Sequence, residues 1–423
     1  MSFSLSSKVQ DEAAAVAYAI ANSLCDSAIR YRGRCTWLGP HQQGNSDEDA
    51  RFTHAPIAAD VYDGTAGIAL FLAEVAVRDG EPRVRDTAIA AARSAMAACP
   101  SLPRAFQYSY FTGVLGHAHA LYRVGRLLDR DDFLRHARRE LKNLSSQPVA
   151  DGALLDVISG AAGAMTPLLS LSRNLYDDSL IDLAIRLGDR ILASAQRSDA
   201  GWSWDSRATG FHSPRALTGF GHGAAGIGWG LAELYAETGE SRFAEAARQA
   251  FRYESGEFIP ECDNWPDYRF TDGESSPAPC GVAWCFGAPG IGLARRRAVA
   301  IVGDVDGKYE RDVDAVLRAI AAALAGRENI ADDDYSLCHG WGGVAEFLAG
   351  EADGRAESSA KESLARIILE GAARHGHEAG GWQCGLVRGS SPSLMLGVAG
   401  IGYFYLRMSD GALPSVLAVA ATT

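Results

Sequence analysis

The sequence predicts an all-α fold, an (α/α)7 toroid in which seven inner helices are ringed by seven outer ones. Three observations lead there. A Gly-x-x-Gly motif recurs seven times, each copy opening an apolar helical stretch. Amphipathic stretches of 3.6-residue period lie between the copies. No segment shows convincing strand alternation and no Pro/Gly/Ser-rich linker interrupts the chain, so residues 1–423 read as one domain.

A helix over about 8–30 supplies an outer helix ahead of the first pair. The glycine pairs are Gly64/Gly67, Gly113/Gly116, Gly160/Gly163, Gly223/Gly226, Gly287/Gly290, Gly340/Gly343 and Gly397/Gly400, within residues 60–410. Their first members are 49, 47, 63, 64, 53 and 57 residues apart. One such pair is weak evidence in a Gly-rich chain, but seven at quasi-regular spacing are not chance. The stretches that follow, such as GIALFLAEVA and GIGWGLAELYA, are apolar all round, as buried helices are. The intervening stretches, such as DDFLRHARRELKNL and SRFAEAARQAFRYE, carry charge on one face and suit an outer layer. Where inner helices crowd toward an axis, a missing Cβ lets backbones approach closely, which accounts for 46 glycines beside only 15 prolines.

Composition excludes several classes of function. With 47% apolar and 22% charged residues the chain is an ordinary globular one. Fifty-two acidic against 40 basic residues leave a net charge of −12, which argues against nucleic acid or an anionic membrane as partner. No apolar run is long enough to cross a membrane and no secretory signal opens the chain. A cytoplasmic location is therefore expected. In a reducing compartment, close Cys and His residues suggest a metal or catalysis more than disulfides.

The chemistry falls at one position of the repeat. Two residues before the first glycine stand Tyr62, Phe111, Ile158, Gly221, Cys285, Cys338 and Met395; one before it stand Asp63, Thr112, Ser159, His222, Phe286, His339 and Leu396. Equivalent positions of a closed ring lie at the same end and point toward one axis, so Cys285, Cys338 and His339 should converge. Two thiolates and an imidazole suit zinc, and three protein ligands leave a fourth position open. His222 shares their register, as a fourth ligand or a general acid/base. Asp156, four residues before its glycine, reads equally as a helix cap or a site residue. Cys280 reads as a spare thiol. Cys25, Cys35, Cys99, Cys262 and Cys384 have no repeat partners and read as packing residues, and His117 and His119 read as structural. His375 and His377 end an outer helix, where a cation meets the dipole. Arg295, Arg296 and Arg297 read as a solvated face.

GFGHG at 219–223, WCFGAPGIG at 284–292 and LCHGWGG at 337–343 resemble the lanthionine synthetase C-like (LanC) cyclases, and the similarity covers nearly the whole chain. TWLG, VYDGTAGIALFL and LMLGVAGIGY look especially like the cyclase domain of class II (LanM) synthetases, although the chain has no room for their dehydratase domain. The resemblance implies the seven-plus-seven toroid. It implies one zinc ion on Cys285, Cys338 and His339, an acid/base His at His222 and an active-site Asp at Asp156. Two positions depart from the family: Phe286 stands where Tyr or His is usual, and Gly281 where some stand-alone members have Arg.

The expected activity is zinc-dependent addition of a peptide Cys thiol to dehydroalanine or dehydrobutyrine, which closes a (methyl)lanthionine thioether ring. The expected partners are a dehydrated, Cys-containing precursor peptide and a separate dehydratase. No redox cofactor or nucleotide is implied, since Michael-type addition needs neither. Addition of glutathione to dehydrated residues, and a non-catalytic, zinc-bearing peptide scaffold, are the alternatives; the Cys-Cys-His set argues against a carbohydrate enzyme on the same toroid.

Overall fold

The computed structural model describes residues 5–43, 51–269, 278–304, 306–352, 357–376, 381–385 and 391–418. Inner helices are α2 (Thr65–Asp79), α4 (Val114–Leu127), α6 (Met165–Leu175), α8 (Ala224–Thr238), α10 (Ala288–Val302), α12 (Trp341–Glu351) and α14 (Val398–Ser409). Each packs on the next, and α14 packs back on α2. The outer layer is α1 (Ser7–Ser27), α3 (Pro82–Ala98), α5 (Asp131–Ser146), α7 (Ser179–Ala193), α9 (Ser241–Gly256), α11 (Lys308–Ala325) and α13 (Glu357–His375). With α1 seated on α13, α14 and α3, the seven-plus-seven toroid closes. His377 lies outside the described residues.

Burial separates the layers as hydropathy requires. In α2 every residue from Thr65 to Ala76 is buried. In α5 only Phe133, His136, Ala137, Leu141 and Leu144 are, a stripe of three- and four-residue steps. The second glycine of each motif has one steric job. A Cβ on Gly67, Gly116, Gly163, Gly226, Gly290, Gly343 or Gly400 would overlap the carbonyl oxygen six residues earlier: Val61, Tyr110, Val157, Phe220, Trp284, Leu337 or Leu394. The chain thus folds back against the helix start it has just entered, and only glycine admits that approach.

The folded-back segments form a ring. Tyr62 N–H donates to the Phe111 carbonyl (2.8 Å), Ile158 to Gly221 (3.2 Å), Gly221 to Cys285 (2.8 Å), Cys285 to Cys338 (3.1 Å), Cys338 to Met395 (3.0 Å) and Met395 to Tyr62 (2.9 Å). The remaining link, from the second repeat to the third, is made by a side chain: Ser109 Oγ donates to the Ile158 carbonyl at 2.6 Å. The circle passes through the position before the residue that precedes each first glycine. It satisfies buried backbone groups that a set of separate loops would leave unpaired.

The structure departs from the sequence reading in three places. Helix α1 ends at Ser27 rather than near residue 30, because the chain turns extended at Ala28 and enters a hairpin. Among the described residues three two-stranded antiparallel hairpins decorate the toroid: β1 (Ile29–Tyr31) with β2 (Arg34–Thr36), β3 (Leu38–Gln43) with β4 (Arg51–Pro56), and β5 (Gln196–Ser198) with β6 (Gly201–Ser203). Four of the six strands are three residues long, too short to show alternation, and the β1–β2 turn rests on positive φ at Arg32 and Gly33. The arginine run is not a solvated face. Arg295 is fully buried, pairs with Asp312 (2.7 Å) and lies 4.8 Å over the Phe251 ring. Arg296 bridges Glu310 and Glu351, and Arg297 pairs with Glu233, so the run ties α10 to its neighbours.

Candidate metal centre

Cys285 and Cys338 are consecutive members of the hydrogen-bonded ring, and His339 follows Cys338 directly. Their ligand atoms lie within 4.8 Å of one another. Both thiols are buried and His339 is half-buried. His339 turns Nε2 toward Asp334 Oδ2 at 3.4 Å, the carboxylate contact that commonly orients a metal-binding imidazole through its other nitrogen. Burial opposes ionisation of Cys285. Hydrogen bonds from Cys338 and His339 and the Arg269 charge outweigh it and hold this thiol well below the usual range. Burial and the Cys285 thiolate together push Cys338 up. One thiolate is thus already favoured, and the donor set of two sulfurs and an imidazole fits zinc.

His222 lies beside this group through the backbone. Gly221 donates to the Cys285 carbonyl, and a Cβ on Gly221 would stand 3.0 Å from the Cys285 Cβ. His222 does not belong to the set of atoms that converges on one point. Instead its Nδ1 is hydrogen-bonded to Asp156 Oδ2. Asp156 is fully buried, and its other oxygen accepts the Ser159 N–H at 2.8 Å. Burial raises the Asp156 pKa, against the hydrogen bond from His222. A carboxylate on Nδ1 leaves Nε2 as the nitrogen available for proton transfer. Asp156 therefore does not cap a helix; it orients an imidazole 66 residues further along the chain.

Two neighbours escaped the sequence reading. Tyr62 reaches across the ring and donates its hydroxyl to Cys338 Sγ at 2.9 Å. Its place in the repeat register beside Cys285 and Cys338 was the available signal. Arg269 stacks 4.3 Å over the Phe286 ring and is held by Asp267 at 2.8 Å. A Cβ on Gly281 would run into the Phe286 ring edge, so Gly281 and Phe286 are a matched pair. With glycine at 281, the guanidinium near the thiols comes from Arg269 in the preceding loop. Nothing in the repeat pattern marks that residue.

A second group, Cys99, His117 and His136, all buried, also has its ligand atoms within 4.8 Å of one another, so among the described residues two Cys/His groups could each bind a metal ion. Cys280 instead hydrogen-bonds Cys262.

Among the described residues no helix is long and apolar enough to cross a membrane. No curated protein sequence matches the chain. Among solved structures it overlays nisin cyclase with a TM-score of 0.59 at 19% identity, covering 84% of this chain and 89% of that one. Looser overlays reach an unsaturated glucuronyl hydrolase specific for heparin (TM-score 0.46, 14% identity, 87% and 96% coverage). Another hydrolase of that kind, from Bacillus sp. GL1, gives a TM-score of 0.45 at 14% identity with 95% coverage of both chains. The family model for lanthionine synthetase C-like proteins matches residues 55–419, and the chain, a helical toroid with a buried Cys/His cluster, belongs to that family.

Proposed function

We propose that the protein is a zinc-dependent cyclase that closes (methyl)lanthionine thioether rings in a dehydrated, Cys-containing precursor peptide. One observation carries the reading. The Cys285–Cys338–His339 group and the Asp156–His222 pair are brought to neighbouring segments of a single hydrogen-bonded ring, in a chain of this family. Cys285, Cys338 and His339 would hold zinc, which when bound supplies a Lewis acid able to lower the pKa of a substrate thiol.

The chain's own groups do the rest. Asp156 keeps the proton on His222 Nδ1, so Nε2 accepts the thiol proton or delivers one to the α-carbon of the adduct. Sulfur bonds to the β-carbon of the dehydro residue and a proton to its α-carbon, so the peptide mass does not change. The Arg269 guanidinium, stacked on Phe286, holds positive charge near the thiols. The TWLG and LMLGVAGIGY segments extend the proposal to kinship with class II cyclase domains and to cooperation with a separate dehydratase. A reducing, cytoplasmic setting would keep the thiols of such a centre available for a metal.

The test incubates zinc-loaded protein with a dehydrated precursor peptide and follows free thiol by alkylation and mass spectrometry. Thiols should disappear at constant mass, faster than without enzyme. Thiols that persist at the uncatalysed rate would overturn the proposal. A mass increase in the presence of glutathione would point instead to intermolecular addition.

A further inference from the structure

The Cys99–His117–His136 group lies between the helical layers. Cys99 follows the last residue of α3, His117 sits in the first turn of α4, and His136 lies on α5. All three are buried, His117 completely. Both ring nitrogens of His117 lack a hydrogen bond of good geometry, with no more than a marginal contact to the Ala95 backbone, and His136 Nε2 has no hydrogen-bond partner. The two rings meet edge to face with centroids 5.4 Å apart. Native proteins rarely bury imidazole nitrogens unpaired, and an ion is one of the few groups that resolves such a deficit. Cys99 and His136 also line a cavity of about 860 Å³ together with Gln107, Arg139 and Glu140.

We propose that Cys99, His117 and His136 hold a zinc ion of their own, separate from the one at the ring. One thiolate and two imidazoles are a donor mixture zinc accepts, and three protein ligands leave a fourth position, here facing the cavity. Glu140 Oε1, 4.0 Å from His136 Nε2, is placed to balance the charge left by one thiolate on a divalent ion. The Nδ1 atom of His136 contacts Arg139 Nη2 at 2.6 Å. The Arg139 side chain is 63% exposed and also pairs with Glu140, so it can withdraw if Nδ1 becomes the ligand. The bound ion would clamp the end of α3 to α4 and α5, tying the first two repeats together where the outer layer meets the inner.

The test uses Co2+ alone as the probe, added to the full metal-free chain under reducing conditions. Binding should saturate at about two equivalents, with thiolate-to-cobalt charge-transfer absorption. Cys99→Ser, nearly isosteric, should remove one equivalent and leave the stronger two-thiolate absorption of the ring site. The triple variant Cys285→Ala/Cys338→Ala/His339→Ala should keep one equivalent with weaker, one-thiolate absorption. A Cys99→Ser chain that saturates at the parent's stoichiometry would overturn the proposal. So would a folded triple variant, judged by circular dichroism, that binds no Co2+. Should the triple variant not fold, the comparison of parent with Cys99→Ser decides alone. Failure of the ring site would remove the other equivalent, so the two proposals fail separately.

Discussion

The backbone N–H of Cys285 donates to the carbonyl of Cys338 at 3.1 Å. The spacing of the two thiols is therefore set by main chain, not by the side chains themselves. Cys338→Ala removes a sulfur and leaves that bond in place. Zinc per chain should fall by about one and thioether formation should be lost, since a two-ligand site binds zinc poorly. Far-UV circular dichroism should stay near the parent's. Loss of the helical signal would make the centre structural.

Asp156→Asn should act through His222. An amide can donate to Nδ1 as readily as accept from it, so the imidazole loses its enforced tautomer. Turnover should drop by about 10²–10⁴, with zinc content unchanged. The pH dependence of turnover should differ from the parent's. A variant that bound less zinc but kept its pH profile would show that Asp156 serves the metal site instead.

Arg269 helps hold the Cys285 thiol down. Arg269→Gln should raise the apparent pKa for alkylation of Cys285 in the metal-free protein, because a nearby opposite charge favours the ionised thiol. Arg269→Lys should recover part of the shift. Alkylation profiles identical for parent and Arg269→Gln would remove Arg269 from the site.

Glu254 gives the fold a pH dependence of its own. It is fully buried on α9, accepts the Gly219 N–H at 2.6 Å beside the His222 segment, and burial raises its pKa to about 8. A carboxyl raised in the folded state stabilises fully below its unfolded pKa near 4.5. That contribution is lost as pH climbs toward 8, by a few kcal/mol at roughly 1.4 kcal/mol per unit. Glu254→Gln keeps a neutral acceptor for Gly219 and should flatten this decline between about pH 4.5 and 8, read as the denaturant midpoint against pH. An unchanged slope would show that Glu254 is not the titrating group.

The toroid and the meeting of Cys285, Cys338 and His339 were legible because both follow from a repeated local event. Each second glycine, such as Gly116 against the Tyr110 carbonyl, admits the same fold-back. Positions equal in register must then arrive at equal places on the ring. The sequence alone therefore determined the layers, their number and which repeat positions face the axis. Tertiary structure alone decided that Tyr62 reaches Cys338 from 276 residues away and that Arg269 stacks on Phe286. It also buried Arg295 and gathered Cys99, His117 and His136 from three helical segments. Apart from Tyr62 and Cys338, which share one position of the repeat, those contacts join side chains from positions that are not equivalent in it. Their meeting depends on loop paths, rotamers and the room neighbours leave, and none of these has a period to be read.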